Sequence, residues 1–209
     1  MSNNWKENRL IDRKDLKILR GKFINLRLIQ MSDASITFKW RRSNQAKYLN
    51  IGANTVEEQQ QWIISRPSNE LNYIIETKKE IPVGMISLIN IDFVNKTAEP
   101  GRFLIGEKDE TKSIPAAFEA LLLIYKLAFE KLELLRVYGA IAEENINMIK
   151  FQKYFGLVEE GRLRKHYYIN GHFQDAVCFG LLANEFHEVV LVRLNRMINI
   201  LSKKTNRSQ

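Results

Sequence analysis

The sequence predicts a single α/β domain of the mixed α+β kind, with a mostly antiparallel central sheet flanked by helices and a further helix at the C-terminus. Three observations predict it. Short alternating or apolar runs separated by polar turns dominate residues 23–106. One long Ala/Leu-rich run without glycine, residues 115–132, interrupts them and is too apolar around its circumference for an exposed helix. Strand patterns then resume and close on two runs joined at Asn170-Gly171, a dipeptide that tight hairpin turns favour.

Each element has its own signal. Residues 23–29 (FINLRLI) alternate, with Ile24, Leu26 and Leu28 on one apolar face of a strand. Ser32 and Asp33 offer N-caps for a helix toward Trp40 and Arg41. Thr55 followed by Glu58 is a capping-box pattern for a second helix through Trp62. Residues 73–77 and 83–91 flank a Lys-Lys-Glu turn and read as a hairpin, and residues 101–106 add a third strand. After the long helix come a strand at 135–142 and a helix from Asn145 to Tyr154 that Gly156 ends. Two strands near 157–168 and 173–182 complete the order β-α-α-β-β-β-α-β-α-β-β.

With 209 residues, 45% apolar and 10% aromatic, the chain has material for one packed core. No apolar run approaches the roughly 18 residues that would span a bilayer. The opening MSNNWKENRL lacks the features of a secretory leader, so a cytoplasmic location is expected. The net charge of +8 is uneven: residues 1–20 carry six basic and three acidic side chains, residues 185–209 five and two, and residues 21–184 only +2 net. The chain therefore divides into a charged N-terminal extension (1–20), a domain (21–184) and a basic amphipathic tail (185–209). Basic ends on a nearly balanced domain do not point to nucleic acid. In the tail, Val190, Leu194, Met197, Ile198 and Leu201 fall at helical spacing. Such a helix docks on its own domain or pairs with a second copy as a homodimer, more commonly than it rests on a membrane. The lone Cys178 excludes an intramolecular disulfide, and His166, His172 and His187 lack metal-ligand spacing, so no metal is expected.

Four strings carry a family resemblance. They are LRLIQMSDASITFKWRRSNQAKYLN (26–50), YIIETKKEIPVGMISLINID (73–92), AEPGRFLIGE (98–107) and ENINMIKFQKYFGLVEEGRLRKHYYINGHFQDAVCFGLL (144–182). In this order they resemble the GNAT superfamily of N-acetyltransferases, in particular the subgroup that acetylates bacterial nucleotide-linked amino sugars and protein N-termini. The resemblance covers residues 21–184. It implies a GNAT-like fold, acetyl-CoA as cosubstrate and a primary amine as acceptor, with a nucleotide-linked deoxyamino sugar preferred. An enzyme acting on protein N-termini and an acyl-CoA-binding protein without catalysis are the alternatives.

The resemblance also assigns residues. The CoA pyrophosphate would sit where a loop opens the long helix, because free backbone N–H groups and the helix dipole favour an anion. The matching string is Lys112-Ser113-Ile114-Pro115-Ala116-Ala117, in which Pro115 stands at a family glycine and brings no N–H. Lys112, Ser113, Ala116 and Ala117 are the expected contacts there. Phe103, Leu104 and Ile105 would lend backbone groups to the pantetheine arm, and Asn145 could bond it while capping its helix. Gln152 occupies the place where the family often has a tyrosine acid, leaving water, or a residue elsewhere such as Tyr167 or Tyr168, to protonate the thiolate. Glu99 is the expected general base, with His166 second because imidazole titrates in the right range. Arg27, Trp40, Arg41, Arg162 and Arg164 could supply guanidinium groups and an aromatic platform for a nucleotide.

Overall fold

The computed structural model describes residues 16–50, 52–169 and 171–205. Its centre is an eight-stranded sheet in the order β1-β2-β3-β4-β5-β6-β8-β7. Strands β1 (Ile18–Arg20), β2 (Ile24–Leu28), β3 (Leu71–Thr77), β4 (Pro82–Asp92) and β5 (Thr97–Ile105) run as an antiparallel meander. A crossover then places β6 (Arg136–Ala142) parallel to β5, and the hairpin of β7 (Val158–Ile169) and β8 (His172–Leu182) returns antiparallel through β8. Strand β1 lies within the segment 1–20 set apart as an extension, and it packs Leu19 into the core. Among the described residues, no helix is long and apolar enough to cross a membrane.

Two helical layers cover the sheet. On one face, α1 (Ala34–Arg41) and α2 (Val56–Ile64) enclose a small core of Trp40, Ala46, Ile74, Met85 and Leu104. Thr55 caps α2 by accepting from the Glu58 N–H at 3.1 Å, but the reciprocal bond of Glu58 goes to Asn54 N–H. The opposite face carries the main core under α4 (Ala116–Lys126), which follows the single turn of α3 (Lys108–Thr111) and continues into a π-helical turn at Leu127–Lys131. Strand β3 is buried at every position, as expected of a strand covered on both sides.

Helix α5 (Ile146–Phe155) ends where Gly156 adopts φ 101°. Leu157 N–H reaches Gln152 O and Gly156 N–H reaches Lys153 O, the bonding of a Schellman stop that a left-handed glycine permits. Beyond β8, a turn of α6 (Ala183–Glu185) and a π-turn at Phe186–Val190 lead into α7 (Leu191–Thr205). Phe186, Val190, Leu194 and Ile198 are buried in the main core. The apolar stripe expected to serve docking or a homodimer is thus taken up by the chain itself.

Gly106 marks where α1 meets the end of β5. A Cβ there would lie 2.3 Å from the Trp40 indole. Gly106→Ala should therefore cost about 1–3 kcal/mol by overpacking, read as a lowered urea midpoint. Gly101→Ala, whose Cβ meets nothing closer than 3.8 Å, should leave that midpoint in place.

Candidate active site

Strands β5 and β6 are paired only at Thr97↔Arg136 and Ala98↔Val137. Past Ala98 they diverge, and the gap opens a cleft of about 790 Å³. Its lining comes from β5 and β6 themselves, from α4 and α5, and from the α1–α2 segment. Since α4 belongs to the main core and α1 to the opposite small one, the cleft passes through the sheet between its two helical layers.

Two bulges shape its β5 wall. Between Met85↔Leu104 and Ser87↔Gly101, Arg102 and Phe103 together oppose Ile86. Arg102 takes φ 51°, an uncommon conformation for a non-glycine residue that costs about 1–3 kcal/mol. Its side chain offsets that strain through an ion pair with Glu70 at 2.9 Å and a hydrogen bond to Asn72 Oδ1 at 2.9 Å. The second bulge, between Ile89↔Glu99 and Asp92↔Thr97, leaves Asn90 at φ 52°, which asparagine tolerates better than most residues. Asn90 Nδ2 thereby donates to Glu99 Oε2 at 3.0 Å. Bulges commonly re-aim side chains beside active sites.

Glu99 lines the cleft, and burial pushes its carboxyl above the usual range against the pull of Asn90, Arg102 and His166. Tyr138 and Tyr167 line the same region. Burial first, and then the charge of Glu99, raises both phenols, so they stay protonated at neutral pH. The Tyr167 hydroxyl donates to Ala140 O at 3.1 Å. His166 is exposed and stands edge-on to the Tyr167 ring at 4.6 Å, outside the cleft lining. Tyr168 is 65% exposed and packs against Phe173 instead.

The α4–α5 mouth holds the residues suited to an acyl carrier. Asn145 lines it and caps α5 by accepting from Met148 N–H at 3.4 Å. Gln152 lines it too, and its amide bonds the hydroxyl of the fully buried Tyr125. The Oε1 of Gln152 is buried without a partner, an acceptor that the amide N–H of a pantetheine arm would satisfy. The β5 edge past Ala98, with no strand opposite, offers free backbone groups to the same arm. The cleft therefore fits CoA. Phe103 lines it, whereas Leu104 packs under Trp40 and Ile105 against the main core.

Other expected contacts lie elsewhere. Lys112 is exposed and paired with Asp109 at 2.5 Å, and neither it nor Ser113, Ala116 or Ala117 lines the cleft; Lys108 does. Arg27 is consumed by Asp33 at 2.6 Å and Glu76 at 2.5 Å, which tie β2 to the entry of α1 and to β3. Trp40 is 1% exposed and donates its indole N–H to Glu107 Oε1 at 2.9 Å, so it is a core residue and no platform. Arg162 and Arg164 lie on the exposed strand β7, Arg162 beside Glu143 at 3.4 Å, and neither reaches the cleft. Of the five proposed substrate residues only Arg41 lines it. Sequence reasoning missed Arg102, Trp62, Tyr138 and Asn90. A charged residue inside the apolar string GRFLIG was the available signal for Arg102.

The cleft thus combines a sheet split beside a bulged strand, a carboxylate at the split and a capped helix below it. The chain belongs to the acetyltransferase (GNAT) domain family, which matches residues 24–158. It is 41% identical over 103 residues to the Bacillus subtilis protein named "Putative ribosomal N-acetyltransferase YdaF", covering 49% of this chain and 55% of that one. It is 26% identical over 117 residues to a spermidine N(1)-acetyltransferase of Vibrio cholerae, covering 56% and 66%. The matches thus span less than two thirds of either relative. The Vibrio cholerae spermidine N-acetyltransferase solved with CoA and spermine superposes with a TM-score of 0.72 over 80% of this chain and all of that one, at 21% identity. That likeness is one of fold.

Proposed function

We propose that the protein transfers an acetyl group from acetyl-CoA to a primary amine by direct attack. The observation that carries this is Glu99, a half-buried carboxylate with a raised pKa at the strand split. Acetyl-CoA would supply an activated thioester. Glu99 would take the proton that the acceptor ammonium must lose before its nitrogen can attack, and a base of raised pKa is better matched to that task. Protonated Tyr138 beside it would act as a hydrogen-bond donor that orients the acceptor, whereas the Tyr167 hydroxyl, whose proton goes to Ala140 O, would accept a hydrogen bond from the acceptor ammonium. Gln152 is no proton donor, so it would hold the cosubstrate; as the C–N bond forms the C–S bond breaks, and the CoA thiolate leaves and takes its proton from water.

Among acceptors we retain the nucleotide-linked amino sugar, because the cleft lining carries Arg41, Lys47, Arg102 and Lys108 against the single carboxylate of Glu99. A protein N-terminus is the second reading, favoured by the relative at 41% identity. Thiol release from acetyl-CoA with a panel of amines tests the transfer. Glu99→Gln should lower kcat/KM by about 100-fold or more. The wild-type kcat/KM should fall as pH drops through the raised Glu99 pKa, since the base must be ionised, and the variant should lose that acid limb. An unchanged rate in Glu99→Gln, or no thiol release with any amine, would refute the reading.

A further inference from the structure

The α1–α2 mouth of the cleft concentrates guanidinium groups that take no part in the proton transfer at Glu99. Arg41 and Arg102 both line it, together with Trp62. Arg66 and Arg102 lie over the Trp62 ring at 4.4 and 5.2 Å. One carboxylate, Glu70, serves both of them, at 3.7 Å from Arg66 and 2.9 Å from Arg102. Arg41 donates to the carbonyl of Asn50 and pairs with no carboxylate among the described residues. Burial first, and then the charge of Arg102, press the Arg41 pKa down.

The position of the cluster decides what would neutralise it. Arg102 reaches the α1–α2 layer through the ring of Trp62 on α2, whereas Leu121, Tyr125 and Gln152 line the mouth below the other layer, where an acyl carrier fits. Arg102 also acts electrostatically on Glu99, so the cluster adjoins the expected base. An anion placed there belongs to the acceptor. Paired guanidiniums suit carboxylate and phosphate oxygens through forked hydrogen bonds. A polyamine would instead set additional ammonium groups against them.

We propose that Arg41 and Arg102 form an anion-recognition subsite, and that the acceptors are primary amines bearing a carboxylate or a phosphate, selected over polyamines. The substrate class rests on the acetyl-transfer reading. Two matched pairs separate the anion sources: glucosamine with glucosamine 6-phosphate, and a dipeptide amide with the free dipeptide. Spermidine is the cationic comparison. The anionic member of at least one pair should be favoured by about tenfold or more in kcat/KM over its neutral partner. Arg41→Gln should bring that ratio near one, and Arg41→Lys, which keeps the charge but loses the fork, should lie between. Equal rates within both pairs, or preference for spermidine, would overturn the subsite while leaving the transfer reading intact. Should no amine release thiol, the transfer reading fails alone and binding decides the subsite. With CoA saturating, glucosamine 6-phosphate or the free dipeptide should raise the Tm of the wild type and not that of a cooperatively melting Arg41 variant. Absence of any wild-type shift would overturn it.

Discussion

Deletion of residues 186–209 is expected to abolish cooperative unfolding. Phe186 and Val190 are 0% exposed, Leu194 1% and Ile198 5%. Burying each such side chain contributes roughly 1.5–3 kcal/mol. Four together supply about 6–12 kcal/mol, comparable with the whole stability of a typical domain, about 5–15 kcal/mol. The loss would not stay local. Phe186 stacks on Phe129 at 5.0 Å and lies 6.1 Å from Tyr125, and Tyr125 is in the cleft lining and bonded to Gln152. A urea titration followed by circular dichroism checks this. A truncated protein with the wild-type midpoint and slope would show that the sheet and α4 suffice without α7.

Replacing Glu119 by Ala should destabilise the protein by about 3–5 kcal/mol without altering its surface charge pattern near the cleft. Glu119 is 4% exposed and accepts from the backbone N–H groups of Lys22, Phe23 and Ile24 at 2.6, 2.7 and 2.8 Å. These bonds clamp the β1–β2 turn to the first turn of α4, across about a hundred residues of chain. Three donors lose a charged acceptor in the variant, and Ile24 is too buried for water to replace it. Glu119→Gln should be intermediate, since one oxygen still accepts. A thermal melt of both variants measures the effect; a change below about 1 kcal/mol in Glu119→Ala would mean that the turn rearranges to new partners.

The elements that were legible share one property: their signal is local. Alternation placed β2, and the Thr55 cap placed α2. The Gly156 stop ended α5 at Phe155. The stripe Val190, Leu194 and Ile198 forecast the buried face of the π-turn and of α7 that follows it. Strand β1 was missed because three residues, Ile18–Arg20, are too few to show a period and lie in a charged segment. The strands at the hairpin, read from 73 and 101, begin earlier at Leu71 and Thr97. Polar residues such as Asn72, Glu99 and Arg102 break the apolar runs, yet they pair across the sheet.

The candidate site divides in the same way. Glu99, Asn145, Arg41 and Phe103 were named from strings that match a family, and the fold brings all four to one cleft. Arg27 and Trp40 were named from the same strings, and the fold gives them partners: Asp33 and Glu76 for one, Glu107 and a tight apolar pocket for the other. Nothing in residue type separates these outcomes. Arg27 gives its fork to two carboxylates, and Glu76 lies 49 residues from it, whereas Arg102 shares the single carboxylate of Glu70 with Arg66.

By itself the sequence determined the class of fold, the order of the longer elements and the resemblance to an acetyltransferase family, because period, capping and motif spacing are written in neighbouring residues. The tertiary structure alone decided where cations outnumber the carboxylates that face them. Ion pairing and burial depend on residues that approach through space, so the cluster of Arg41, Arg102 and Trp62 at the mouth of the cleft exists only once β5 bulges beneath the α1–α2 layer.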